Sequence, residues 1–80
     1  MKLEELRAKV DEIDSQMVAL FRQRMDCAAE IATYKKENDL PVQAPGRERE
    51  LLASIAAQAG EELAEYAEAV YRTILAVSRS

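Results

Sequence analysis

The first half of the chain carries an apolar residue at every third or fourth position. The series runs through Leu3, Leu6, Val10, Ile13, Met17, Leu20, Cys27 and Ile31. This spacing is typical of one face of an α-helix, and no Gly or Pro interrupts it. We therefore expect a first helix over about residues 3–37, ended by Asn38-Asp39 and Pro41.

Two shorter periodic segments follow a linker expected over residues 40–46. A second helix is predicted over about residues 45–59, because Pro45 suits a first turn and Gly60 suits a C-cap. Its stripe is Glu48, Leu51, Leu52, Ile55 and Ala59. A third helix is predicted over about residues 62–80, with the stripe Leu63, Ala67, Val70, Tyr71, Ile74 and Ser78. No strand pattern or repeat occurs, so the fold class is all-α: a three-helix protomer with one long N-terminal helix in a single domain, 1–80.

The length of the first helix has a consequence for assembly. Thirty-five helical residues extend roughly 50 Å, whereas a compact globule of this size is only about 30 Å across. Two shorter helices cannot cover such a rod, yet its apolar stripe continues to its end. We therefore expect an intertwined helical homodimer in which the long helices cross.

Polar residues replace apolar ones at four places on these stripes, namely Arg24, Lys35, Glu48 and Ser78. Arg24 and Lys35 are separated by about three turns, so they point the same way, roughly 16 Å apart. Charges that face a core are normally paired, which indicates an anionic ligand. Each residue also has a purely structural explanation. Arg24 could set the register of a dimer seam, Lys35 and Glu48 suit the ends of their helices, and Ser78 could mark a fraying end.

Two further arginines are candidates for the same pocket. Arg47 lies in the first turn of a helix, where a positive charge is unfavourable because the helix dipole is positive at that end. Arg7 could simply pair with Asp11. Arg7 and Arg24 are roughly 25 Å apart along the helix and about 100° apart in direction, so only a partner's Arg7 can approach Arg24. A pocket with this excess of cations calls for a small dianion, and arginine favours carboxylates.

Composition removes several classes of function. A net charge of −4 without a Lys/Arg block argues against nucleic-acid binding. We expect no signal peptide and no membrane segment, and the single Cys27 is expected to be a small core residue in a reducing compartment, so we predict a cytoplasmic protein. The absence of histidine excludes His-dependent triads, His metal clusters and histidine proton shuttles. Arg, Lys and Glu suit charge stabilisation better than proton transfer.

Short motifs of different sequence are spread along essentially the whole chain. They are Leu6-Arg7 with Asp14 seven residues later, Phe21-Arg22-Gln23-Arg24, Tyr34-Lys35-Lys36, Leu40-Pro41-Val42, Arg47-Glu48-Arg49-Glu50 and Ser78. In this order and spacing they resemble the all-helical (AroQ-class) chorismate mutases. The resemblance implies three-helix protomers intertwined as a homodimer. It also implies an intramolecular Claisen rearrangement of chorismate to prephenate, in phenylalanine and tyrosine biosynthesis, without a metal or a cofactor.

The resemblance also implies roles for individual residues. Arg24 and Arg7 of the partner subunit would bind the two substrate carboxylates. Lys35 would reach the ether oxygen and a carboxylate, and Glu48 would accept a hydrogen bond from the ring hydroxyl. Lys35, Arg24 and Glu48 are therefore the expected catalytic residues.

Arg47 would line the site, and Ser78 would approach a carboxylate. Two positions depart from the family pattern. The family often has an Asp that caps the second helix where this chain has Ala44, a loss of about 1 kcal/mol. The family also places a Gln or Glu one turn after the serine, at a position past Ser80, and a site without this donor is expected to be weakly active.

Two alternatives remain open from the sequence. The first is an isochorismate-pyruvate lyase, which shares the fold and a similar cationic pocket. The second is a non-catalytic helical dimerisation module. In such a module Arg24 and Lys35 would tolerate neutral residues of similar shape, and chorismate would not bind.

Overall fold

The computed structural model describes residues 2–41 and 44–79, which form three α-helices and, within those ranges, no β-strand. Helix α1 spans Leu3–Glu37, α2 spans Pro45–Ala59 and α3 spans Ala64–Ser78. The chain divides into two compact units, one formed by α1 and the other containing α2 and α3. The all-α class is confirmed. Val42 and Gln43 of the predicted linker, and Ser80 of the predicted third helix, lie outside the described residues.

The sequence explains both ends of α1. Glu4 and Glu5 lie in its first turn, and Lys35 and Lys36 lie in its last turn. Charges of these signs at these ends interact favourably with the helix dipole. The helix ends at Glu37. Asp39 then adopts a positive φ of 53°, a left-handed conformation that Asp tolerates better than most residues. Pro41 follows two residues later and cannot continue a helix.

The apolar stripe of α1 is exposed in the single chain. No α1 residue is fully buried, and the stripe is between 45% exposed at Leu6 and 61% exposed at Leu20. Cys27, which we expected to be a small core residue, is also exposed, because this side of α1 is uncovered in one chain. None of the helices described combines the length and the apolar character needed to cross a membrane.

Helices α2 and α3 pack against each other as a hairpin. Gly60 is the C-cap of α2, as predicted, with a φ of 85° that favours glycine. Its N–H donates to the Ala56 carbonyl at 3.2 Å, and the Leu63 N–H donates to the Gly60 carbonyl at 3.2 Å. So short a connection makes the two helices antiparallel neighbours. The end of α3 therefore lies beside the start of α2.

The facing sides of the hairpin agree with the predicted pattern in α2 and only partly in α3. Every residue of the predicted α2 stripe is partly buried. The third helix starts at Ala64, later than predicted, because residues 61–63 form a turn. Leu63 and Val70 are exposed at 57% and 53%, so their assignment to the packed face was wrong. Leu63 precedes the helix, and Val70 lies about 100° from the centre of the face that meets α2.

Candidate active site

Helix α1 carries two partly buried cations on one side. Arg24 and Lys35 lie in the same uninterrupted helix, so the spacing of about three turns and roughly 16 Å holds. Both side chains belong to the small part of α1 that is partly buried, whereas most of the helix is exposed. Partial burial strengthens the field of a charge relative to full hydration. This side of α1 is therefore a candidate surface for binding an anion.

The opposite side of α1 has a different character. A shallow depression there is lined by Ala29, Glu30, Thr33, Tyr34 and Glu37. Its charged residues are two glutamates, and no cation lines it. A dicarboxylate would be repelled at this surface, so the depression does not compete with the cationic side as a substrate site.

The open end of the hairpin brings together the other predicted polar residues. Glu48 lies in the first turn of α2 and Ser78 is the last residue of α3, so the antiparallel packing places them at the same end. Both are partly buried. Arg79 follows Ser78, and its Nη1 donates hydrogen bonds to Oε1 and Oε2 of Glu48 at 2.6 and 2.5 Å. These charge-assisted contacts engage both oxygens of the Glu48 carboxylate and orient it towards the end of α3.

Arg79 is a residue that the sequence analysis missed. The signal was available, because a short connection predicts antiparallel helices whose outer ends meet. This arrangement predicts that Glu48, at the start of α2, lies near the end of α3. A cation is favoured at that end by the helix dipole. The ion pair joins residues that are 31 positions apart.

Ser78 is engaged with its own helix. Its hydroxyl donates to the Ile74 carbonyl, one turn earlier, at 2.8 Å. Mid-helix and terminal serines commonly make this contact. Donation to a substrate carboxylate would require the hydroxyl to turn away from Ile74, whereas acceptance of a hydrogen bond would not.

Arg7 and Arg47 are exposed. Neither has an ion-pair partner among the described residues, and the pairing of Arg7 with Asp11 that the sequence allowed is not formed there. Arg7 lies roughly 25 Å from Arg24 along the same helix. One straight helix does not bring these two arginines together.

The start of α2 lacks a side-chain cap. Ala44 occupies the N-cap and offers no side-chain hydrogen bond, as the sequence indicated. The Ala44 carbonyl nevertheless accepts the first bond of the helix, from the Glu48 N–H at 3.0 Å. Pro45 at the first position needs no partner for a backbone N–H. The backbone that positions Arg47 and Glu48 is thus helical without the capping carboxylate.

Comparison with known proteins identifies the family. The family model for chorismate mutase type II matches residues 6–80, so the chain belongs to this family, and the resemblance noted in the sequence is confirmed. No solved structure gives a significant match.

Curated relatives match parts of the chain. A chorismate mutase from Methanocaldococcus jannaschii is 38% identical over 48 residues, which are 60% of this chain and 48% of the relative. A bifunctional chorismate mutase/prephenate dehydratase from Aquifex aeolicus is 37% identical over 54 residues, which are 68% of this chain and 15% of the relative. A 4-amino-4-deoxychorismate mutase from Streptomyces venezuelae is 37% identical over 46 residues, which are 58% of this chain and 45% of the relative. The matched segment thus spans half or less of each of these proteins.

Proposed function

We propose that this chain is a chorismate mutase domain that converts chorismate to prephenate. The observation that carries the proposal is the pair of partly buried cations, Arg24 and Lys35, on one side of α1 in a member of this family. Relatives named as chorismate mutases support the same activity. The substrate is a small dicarboxylate, which fits a surface with this excess of positive charge.

The reaction needs positioning and charge stabilisation more than proton transfer. An ether C–O bond breaks while a C–C bond forms within one molecule, so no nucleophile or base is required. A site accelerates such a step by holding the substrate in its compact reactive conformation and by stabilising the negative charge that develops on the ether oxygen. In this proposal Lys35 donates a hydrogen bond to the ether oxygen of the substrate, and Arg24 binds one of its carboxylates.

The hairpin supplies the other proposed contacts. Glu48 accepts a hydrogen bond from the ring hydroxyl, and its contacts with Arg79 orient the carboxylate for this role. Ser78, at the same end of the hairpin, approaches a carboxylate. Arg47 lines the site from the first turn of α2.

A second copy of the chain is the proposed partner. The exposed stripe of α1 leaves large apolar side chains in water, among them Ile13 at 53% and Met17 at 58%. Complete burial of a fully exposed side chain of this kind is worth about 1.5–3 kcal/mol, so covering these half-exposed ones would stabilise an assembly by about 1 kcal/mol each. An intertwined homodimer would cover the stripe, and it would carry Arg7 of the partner subunit to the neighbouring site. We place this dimer in the cytoplasm, where the thiol of Cys27 would stay reduced.

A second substrate is suggested by the Streptomyces venezuelae relative. Its name, 4-amino-4-deoxychorismate mutase, describes the same type of rearrangement on a molecule with an amino group in place of the ring hydroxyl. Its identity to this chain, 37%, is close to that of the relatives named as chorismate mutases. We propose chorismate as the preferred substrate and the amino analogue as the competitor to test.

The test is to follow the loss of chorismate absorbance with purified protein and to identify the product. Prephenate is expected, and parallel incubations with isochorismate and with the amino analogue distinguish the three substrates. Release of pyruvate from isochorismate, without prephenate formation, would establish the lyase instead. Failure of all three substrates to react or to bind would leave a dimerisation module and refute the proposal.

A further inference from the structure

We propose that Arg79 sets the preference of the site for a ring hydroxyl over a ring amine. Arg79 is a positioning residue that acts through its ion pair with Glu48. The inference rests on the proposed function, in which Glu48 receives the ring substituent of the substrate. It concerns substrate specificity, which the family match leaves open.

The geometry allows Arg79 and a substrate to share Glu48. A single guanidinium nitrogen, Nη1, donates to both carboxylate oxygens at 2.6 and 2.5 Å. Each carboxylate oxygen has two lone-pair sites, so each keeps one for another donor. The side chains of Arg79 and Glu48 are 40% and 28% exposed, which leaves the pair accessible. Arg79 therefore orients the acceptor without occupying it fully.

The charge of Arg79 distinguishes the two ring substituents. A hydroxyl is neutral, whereas an aliphatic amine is largely protonated at neutral pH. A lone carboxylate would attract the ammonium more strongly than the hydroxyl. With Arg79 in place the carboxylate is already neutralised, and an ammonium bound to it would lie within a few ångströms of a second cation. Like charges at such distances repel even where water is close, so Arg79 reduces the advantage of the ammonium and shifts the preference towards the neutral hydroxyl.

The fold holds Arg79 where this effect operates. Arg79 is the C-cap of α3, and its backbone N–H donates to the Leu75 carbonyl at 3.2 Å. Because α2 and α3 are packed as a hairpin, the guanidinium is delivered to the first turn of α2. The contact is therefore built by the packing of two helices and does not depend on a flexible loop.

Arg72 offers a matched control on the same helix. It lies two turns before Arg79 and is 66% exposed. Its partner is Glu68, on its own helix, at 4.0 Å. Replacing Arg72 with Gln changes the net charge of the protein by the same amount as replacing Arg79, but away from Glu48.

The experiment measures kcat and KM for chorismate and for 4-amino-4-deoxychorismate in the whole chain. The variants are Arg79→Gln, Arg79→Lys and Arg72→Gln, with folding and dimer content checked by circular dichroism and sedimentation. For Arg79→Gln, the ratio of kcat/KM for the amine to kcat/KM for the hydroxyl should rise about tenfold, which is about 1.4 kcal/mol. Arg79→Lys keeps the charge and should stay near the wild-type ratio, as should Arg72→Gln.

Arg79→Met provides a second test with the same sign. It keeps the apolar stem of the side chain and removes its charge, so the ratio should rise as in Arg79→Gln. This variant keeps the inference testable if Arg79→Gln does not fold.

The outcomes separate the inference from the function on which it rests. An unchanged ratio in a folded Arg79→Gln protein, or equal losses for both substrates, would overturn the specificity role while leaving the mutase function in place. A wild-type chain that converts neither substrate would overturn the proposed function and this inference with it.

Discussion

The long helix and the helical hairpin differ in how far each covers its own apolar residues. In the hairpin, the facing residues of α2 and α3 are partly buried. In α1, the apolar stripe stays 45–61% exposed between Leu6 and Leu20. Only its two cationic members, Arg24 and Lys35, are partly buried. The helices of the hairpin thus pack against each other within the chain, whereas α1 leaves its large apolar side chains exposed.

This difference also separates the proposed roles of the two regions. The hairpin fixes Glu48 through Arg79 and brings Ser78 to the same end. The long helix supplies the cations that would bind the substrate carboxylates. We therefore expect the largest effects of mutation on the surface that α1 leaves exposed, and smaller ones within the hairpin.

The apolar stripe of α1 should be the most sensitive part of the molecule. Met17→Glu places a charge at its centre, where the proposed dimer would bury it unpaired. We expect a destabilisation on the order of 4 kcal/mol and loss of the dimer, measured by urea unfolding and sedimentation. Ser15→Glu, on the opposite side of the helix, should leave both nearly unchanged. A Met17→Glu protein that remains a dimer of wild-type stability would show that the stripe is not the interface.

Lys35→Gln should lower kcat about a hundredfold while keeping the fold and part of the substrate affinity. Charge on the ether oxygen grows in the transition state, so its donor should matter more there than in the ground state. Lys35→Arg should not restore full activity, because the planar guanidinium of arginine cannot take the place of the compact ammonium of lysine. Lys36→Gln is the adjacent control. A raised KM with unchanged kcat would limit Lys35 to substrate binding.

Arg24→Ala should cost about 2 kcal/mol of transition-state stabilisation, seen as roughly a thirtyfold loss of kcat/KM. The protein should still fold, because removing a partly buried charge relieves its desolvation. Arg22→Ala, two residues away on another side of α1, controls for the loss of charge. Near-wild-type kcat/KM in a folded Arg24→Ala dimer would remove this residue from the site.

The smallest effect is expected at the start of the hairpin. Ala44→Asp would supply the missing side-chain cap of α2 and should stabilise the protein by about 1 kcal/mol. The measurement is the shift of the urea midpoint. Ala53→Asp, in the exposed middle of the same helix, should give no gain. Equal shifts for the two variants would show that the capping position has no special effect.

Local pattern predicted much of the fold. The uninterrupted periodicity of the first segment indicated α1, and Gly60 indicated the end of α2. The face of α3 was less predictable, because Val70 is apolar and lies next to Tyr71, yet only Tyr71 turns towards α2. A mixed apolar helix does not reveal which of its sides a neighbour will cover.

The site was predicted only where a single helix defines it. Arg24 and Lys35 follow from the spacing of residues along one helix. The contact of Arg79 with Glu48 depends on the packing of two helices; their short connection predicts that their outer ends meet, but the structure was needed to show which side chains pair there. The role of Arg7 depends on a second chain, and it remains a prediction.

Mixing two inactive variants tests the central claim most directly. Arg7→Ala and Lys35→Ala proteins should each be inactive. After co-refolding, every heterodimer should contain one pocket with both lesions and one with none, so up to about one pocket in four should be intact for random pairing under two-fold symmetry. Recovered chorismate mutase activity at that level is the predicted result. No recovery, with heterodimers shown by native mass spectrometry to be present, would contradict a site completed by the partner subunit.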